Sequence, residues 1–253
     1  MSAEPPKSAT TEATVSVLQG HYQKLHSQCG AVMATSIGGA NESKVARSHQ
    51  FVQEIELWVS ALGSRRENTL LRVAAYEYQF ALLALVQGHY RHAFKGLRLV
   101  LELTLQSVHL SAHELELREW LQNKKDTVWA AVVDDNNGVF SLRFVRCFFP
   151  SLESHVASHG ALASQVYREC SECVHGNVPK HVPLPESLVF SQNVFDLWHA
   201  KADVVALIFH FVLVMRYLQE ISQEHRQKLE SALIARVGHV QEIRMALGGP
   251  TGG

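Results

Sequence analysis

The run VVALIFHFVLVM, residues 204–215, constrains this chain more than any other stretch. A helix that is apolar on every side has to be enclosed, yet twelve such residues fall short of the roughly 20 that cross a bilayer. The surrounding segment, 193–221, is therefore expected to be a core helix and not a membrane anchor. His210 lies inside it, where a bond to a backbone carbonyl is the expected way to satisfy its ring.

Several other segments carry apolar residues at three- and four-residue spacing. Over 14–36, Val15, Leu18, Tyr22, Leu25 and Cys29 share one face, and Gly38-Gly39 marks the end. Ser43 is placed to cap a second helix running to Leu62, with Val45, Phe51, Val52, Ile55, Trp58 and Val59 on its buried side and Gly63 as its stop. The two read as an antiparallel hairpin. Residues 65–87 read as a central helix, apolar over much of its circumference, which Gly88 interrupts. Residues 89–110 follow in the same style, with Arg98 and Glu102 one turn apart.

Residues 114–124 read as a short helix, and Asp134-Asp135-Asn136-Asn137-Gly138 is a turn signal ahead of the aromatic run 140–149. After Pro150 a further helix is expected to about His175. Pro179, Pro183 and Pro185 then impose a loop, and a last amphipathic helix is expected over 224–247. No segment alternates as a strand would, no repeat is evident, and neither standard phosphate loop is present. The fold class read from this pattern is all-α, a multi-helix bundle in one domain over residues 13–247, with short flexible tails at 1–12 and 248–253.

With 253 residues, 47% of them hydrophobic, a sizeable core is available. A formal net charge of -1 supplies no global attraction for nucleic acid. The four cysteines, at 29, 147, 170 and 173, form no disulfide framework, which favours a reducing, cytoplasmic setting. The first residues, MSAEPPKSATTEATVS, lack the layout of a signal peptide. Trp58, Trp120, Trp129 and Trp198 are spaced as core or interface anchors, not as a base-stacking platform; His89 and His92 read as surface groups flanking a helix start.

The chemistry-bearing stretch is 161–177, ALASQVYRECSECVHGN. At about 100° per residue, Ser164, Gln165, Arg168, Ser171, Glu172 and His175 form a polar stripe, with Leu162, Val166, Tyr167, Cys170, Cys173 and Val174 on the core side. Cys170-x-x-Cys173-x-His175, with His181 beyond it, has the look of a metal motif. On a continuous helix, however, His175 points away from the thiols, so no metal ligation and no cofactor is expected here. Arg168 and His175, almost two turns apart, point the same way. Taken blandly, Arg168 and Glu172 are a surface ion pair one turn apart on a solvated face.

YRECSECVHGN, together with ALVQGHYRHAFKGLRLVLELTLQSVHL (84–110), resembles the HEPN superfamily, helical bundles with an Arg, four to six residues, then His motif near a helix end. The resemblance spans about residues 65–215. It implies a metal-independent endoribonuclease, a toxin or anti-phage effector, in which the 2′-hydroxyl of RNA attacks the adjacent phosphate. His175 would exchange protons and Arg168 would hold the phosphorane charge, with two such pairs meeting across a homodimer. Glu169, Ser171 and Glu172, with Arg98 and Glu102 from the preceding helix, would form the surroundings; Glu102 would orient Arg168 or close a salt-bridge network. Glu169 stands where the family often has Asn or His, and it and Glu172 would repel a phosphate. The alternative is a HEPN-like scaffold without activity, binding a protein partner in a defence or toxin-antitoxin complex.

Overall fold

The computed structural model describes residues 9–126, 128–175 and 183–249, the side chains of residues 9–15 and of His175 excepted. Every regular element in it is helical: α1 (Ala9–Ser36), α2 (Glu42–Leu62), α3 (Asn68–Val86), α4 (Tyr90–Leu110), α5 (Glu114–Leu121), α6 (Trp129–Val132), α7 (Leu142–Phe148), α8 (Glu153–His175), α9 (Gln192–Tyr217), α10 (Gln223–Val237) and α11 (Gln241–Ala246), with 3-10 turns at Gly39–Asn41 and Pro150–Leu152. The all-α class follows directly. Thr127, the sequence 176–182 with Pro179 and His181, and the two chain ends lie outside the described residues.

The central layer is α4 with α3 on one side and α8 and α9 on the other. α3 and α4 are the most intimately packed pair. A side chain at Gly96 on α4 would come within 2.8 Å of the Ala81 Cβ on α3, so the small residues set the helix separation. The turn between them depends on Gly88, at φ 82°, with the Val32 side chain of α1 closing over it. Across the layer, α9 buries every residue from Ile208 to Tyr217, as its all-round apolarity demands. By length and composition α3 and α9 could each cross a membrane; 67% of α9's apolar window is buried against other helices, the situation of a core helix.

Four local expectations are corrected. Asn41, not Ser43, precedes α2, and it makes no side-chain cap bond. The first two helices do not form a packed hairpin: α1 leans on α3 and on the turn at Gly39–Asn41, and α2 packs on α3, α9 and α10. Leu18 and Tyr22, expected on the buried face of α1, are exposed, and Leu25 and Cys29 are only half-buried. The final helix is two helices, because the chain bends at Gly238, where a Cβ would meet the Ile234 carbonyl oxygen at 2.3 Å.

α3 departs furthest from expectation. Its inner side, with Leu71, Ala74, Tyr78 and Leu85, has no exposure, but Val73, Tyr76, Phe80 and Leu83 are 42–60% exposed. These four sit at i, i+3, i+7 and i+10, one line along the helix. The helix is central on one side only.

Candidate functional site

The polar stripe of α8 is real, and of its residues Ser171 and Gln165, with the adjoining Glu169, are held by partners, whereas Arg168 is not. Ser171 Oγ donates back to the Tyr167 carbonyl at 2.7 Å, a local bond that uses up its proton. Glu169 accepts from the Gln165 amide at 2.9 Å and is ion-paired with Lys201 of α9. Burial raises the Glu169 carboxyl, but Lys201 and Gln165 outweigh it and hold the group below the usual carboxylate range. Glu169 therefore does not add an uncompensated charge to the stripe. Arg168 is exposed, and among the described residues it has no ion-pair partner; the Arg168–Glu172 pair of the bland reading is not formed. His175 is the last residue of α8, and its side chain lies outside the described residues, as does His181.

Arg98 and Glu102 are brought to α8, but to Tyr167 and not to Arg168. Arg98 Nη2 donates to the Tyr167 hydroxyl at 2.8 Å, and its guanidinium lies 4.6 Å from the Tyr167 ring centroid. Arg98 also pairs with Glu102 at 3.0 Å. Trp129 stacks on the same tyrosine ring, 3.8 Å between centroids and 9° from parallel. Of the two roles expected of Glu102, the structure gives the network and not the orientation of Arg168.

Cys170 and Cys173 are buried, as the helical wheel requires. Burial pushes the Cys170 thiol up to about 12 and raises that of Cys173. Leu162, assigned to the same side, is instead exposed. The end of α8 also has a ligand that sequence reading did not supply: Arg91 Nη1 donates to the carbonyls of Cys173 and Val174 at 2.8 and 3.1 Å. A cation there satisfies orphan carbonyls and meets the negative end of the helix dipole. Only the packing of α4 beside α8, 82 residues apart in sequence, reveals it.

No family model, curated protein or solved structure matches this chain. What the molecule can do has to be taken from its own residues.

Two further groups of titratable side chains stand out among the described residues. The first is a buried chain linking α2, α9 and α10. Trp58 Nε1 donates to His210 Nδ1 at 3.2 Å, which leaves His210 Nε2 as the donor to Glu54 at 3.0 Å. Arg236 then bridges Glu54 and Asp203, each at 3.0 Å. His210 thus uses side chains, not the backbone carbonyl expected of it. The second is His109, His113 and Glu116 at the corner between α4 and α5, whose potential ligand atoms all lie within 4.8 Å of one another. The spacing His-x3-His-x2-Glu is visible in the sequence, but it straddles a helix boundary and so escapes a search for one-face motifs.

Proposed function

We propose that this chain is a helical protein-interaction module whose α3 face receives an amphipathic helix of a partner protein. The observation that supports this reading is the apolar line Val73, Tyr76, Phe80, Leu83 on the outside of a helix whose inside is already fully packed. Single exposed apolar residues are ordinary, whereas a contiguous line of four large ones is a mark of an interface. Tyr76 and Phe80 rest against each other, 4.6 Å between centroids. Phe80 and Leu83 also line two hollows, one of about 350 Å³ with Ile37 and Val45, the other of about 450 Å³ with Glu77, Lys95 and His92. Ridges beside hollows of this size match the helix-in-groove mode, in which anchors at i, i+3 and i+7 of the incoming helix fill the depressions. The test is a Tyr76→Glu, Phe80→Glu double variant, compared with wild type by circular dichroism, sedimentation velocity and cross-linking in the native host. Loss of association with a retained fold supports the reading; unchanged association and unchanged cellular phenotype sink it.

A second reading, the metal-independent HEPN-like endoribonuclease with Arg168 and His175 at its site, is favoured by one observation. Arg168 is an exposed cation without a described partner, and the carboxylate beside it is already held by Lys201. Purified protein should then cleave RNA in the presence of a chelator and leave a cyclic phosphate, and Arg168→Ala and His175→Ala should each abolish the cut. Cleavage that survives either substitution, or RNA left intact by the wild type, removes this reading without touching the first.

A further inference from the structure

We propose that the corner between α4 and α5 is a binding site for a divalent transition metal, with His109, His113 and Glu116 as its protein ligands. His109 is 3% exposed, and neither of its ring nitrogens has a hydrogen-bond partner. A buried imidazole with both nitrogens unsatisfied is costly, on the order of 1–3 kcal/mol for each polar group left bare, and it is uncommon enough to require a reason. Its Nε2 faces the Glu116 carboxylate at 3.7 Å, too far for a hydrogen bond. The nitrogen is aimed at an anion but does not reach it, which is the arrangement a bridging cation completes.

The neighbouring ligand is already set in the required tautomer. His113 Nδ1 donates to the His109 carbonyl at 2.8 Å, so the lone pair is left on Nε2. A histidine ligand is usually fixed in this way, by a backbone acceptor on its other nitrogen. The two rings lie stacked, 4.1 Å between centroids and 18° apart. Ligand atoms now spread over as much as 4.8 Å would draw in to about 3.4 Å around a tetrahedral ion with bonds near 2.1 Å. An imidazole lone pair lies in the plane of its ring, so the half-buried His113 has to tilt out of its stack about the Nδ1 bond to the His109 carbonyl before both rings can aim at one ion, with the Glu116 side chain following.

Two imidazoles and one carboxylate select zinc or a late first-row relative over calcium or magnesium, and three protein ligands leave one position open. Lys125 is the only charged group already on the site's carboxylate among the described residues, 3.2 Å from Glu116. Its side chain is half exposed, so it can swing into solvent when a metal arrives, and it acts as a competitor for the same oxygen. His113 also lines a hollow of about 150 Å³ with Cys147 and Arg143, which gives solute a way to the corner.

The test uses the untagged full chain, stripped with chelator and titrated with Co²⁺ and then Zn²⁺, read by visible absorption and calorimetry. One equivalent of Co²⁺ with absorption of a nitrogen- and oxygen-ligated four- or five-coordinate ion is expected, displaced by Zn²⁺. His113→Ala and Glu116→Gln, both at half-buried positions and each checked for a retained fold by circular dichroism, should each weaken binding at least tenfold. Lys125→Ala should tighten it several-fold, an effect that a purely structural role for these residues does not produce. No stoichiometric binding by the folded wild type, or binding indifferent to both ligand substitutions, overturns the proposal.

Discussion

His210 Nε2 lies 3.0 Å from Glu54 Oε2 in a pocket where the histidine has no exposure at all. The second nitrogen of that ring accepts from Trp58, so the imidazole is fixed neutral with its proton on Nε2. Adding a proton at Nδ1 would set two donors against each other. Burial depresses the His210 pKa, and its bond to Glu54 offsets this only in part. For Glu54, burial pushes the carboxyl up, but His210 and Arg236 more than reverse it.

Both shifts give stability the same dependence on pH. A histidine held neutral in the folded state is protonated more readily when unfolded, so stability falls as pH drops below about 6.5. Burial also lowers His109 and His159, and takes His199 to about 4. Each group contributes up to about 1.4 kcal/mol per pH unit between its unfolded and folded values. Below about pH 4.5 Glu54 adds its own loss in the same direction. Urea midpoints measured from pH 7.5 to 4.5 should therefore decline steadily, with the steepest part between 6.5 and 4.5; a flat profile contradicts the neutral assignment of these rings.

Trp58→Phe removes the donor to His210 and, because the phenyl ring is smaller than the indole at a position with no exposure, also opens a cavity beside it. Leaving that buried acceptor bare should cost about 1–3 kcal/mol. Glu54→Gln should cost more, about 3–5 kcal/mol, because it strands Arg236 as a buried charge with one partner fewer. Equilibrium denaturation measures both, and a loss below about 1 kcal/mol for Glu54→Gln would show that the charge network does not tie α2 to α9.

Gly96→Ala tests the closeness of α3 and α4. The added methyl group meets Ala81 Cβ at 2.8 Å, well inside van der Waals contact. Helix propensity alone would favour alanine by roughly 0.8–1 kcal/mol. The clash should outweigh that gain and leave a net loss of about 1–3 kcal/mol. A rise in the melting temperature would mean that the two helices separate without cost.

The four thiols should react in an order set by exposure and pKa. Cys147 is exposed and should alkylate first. Cys29, half-buried with its Sγ 3.4 Å from His89 Nε2, should follow. Cys170 and Cys173 are buried with raised pKa values and should react only through opening of the bundle. Timed iodoacetamide labelling with peptide mass spectrometry reads the order directly, and rapid labelling of Cys170 would contradict the packing of α8 on the core.

Arg91→Ala removes two charge-assisted bonds from the end of α8. The loss should be about 1–2 kcal/mol, smaller than for a fully buried pair because part of the contact is open to water. Hydrogen exchange should rise over the last turn of α8, residues 171–175, with the middle of the helix unchanged. Uniform exchange across α8 would locate the contribution of Arg91 elsewhere.

The helical class and most of the helix positions could be read from the chain, because a 3.6-residue apolar period and glycine stops are local properties of sequence. So were the enclosure of α9 and the inward direction of Cys170 and Cys173, which follow from helix geometry alone. The exposed line on α3 could not be read that way, since Phe80 and Leu71 are equally apolar and only neighbouring helices determine which is covered. For the same reason Arg168 was legible as a residue on the polar stripe, but the neutralisation of Glu169 by Lys201, the bond from Arg91 to the α8 carbonyls and the turn of Arg98 toward Tyr167 were not. Sequence by itself determined the helical class, most of the helices and, for most residues, the direction faced on the helix. Tertiary structure alone decided which faces are covered, which charges are paired and that both buried nitrogens of His109 are without a hydrogen-bond partner, because hydrogen bonds and burial are relations between segments far apart in the chain.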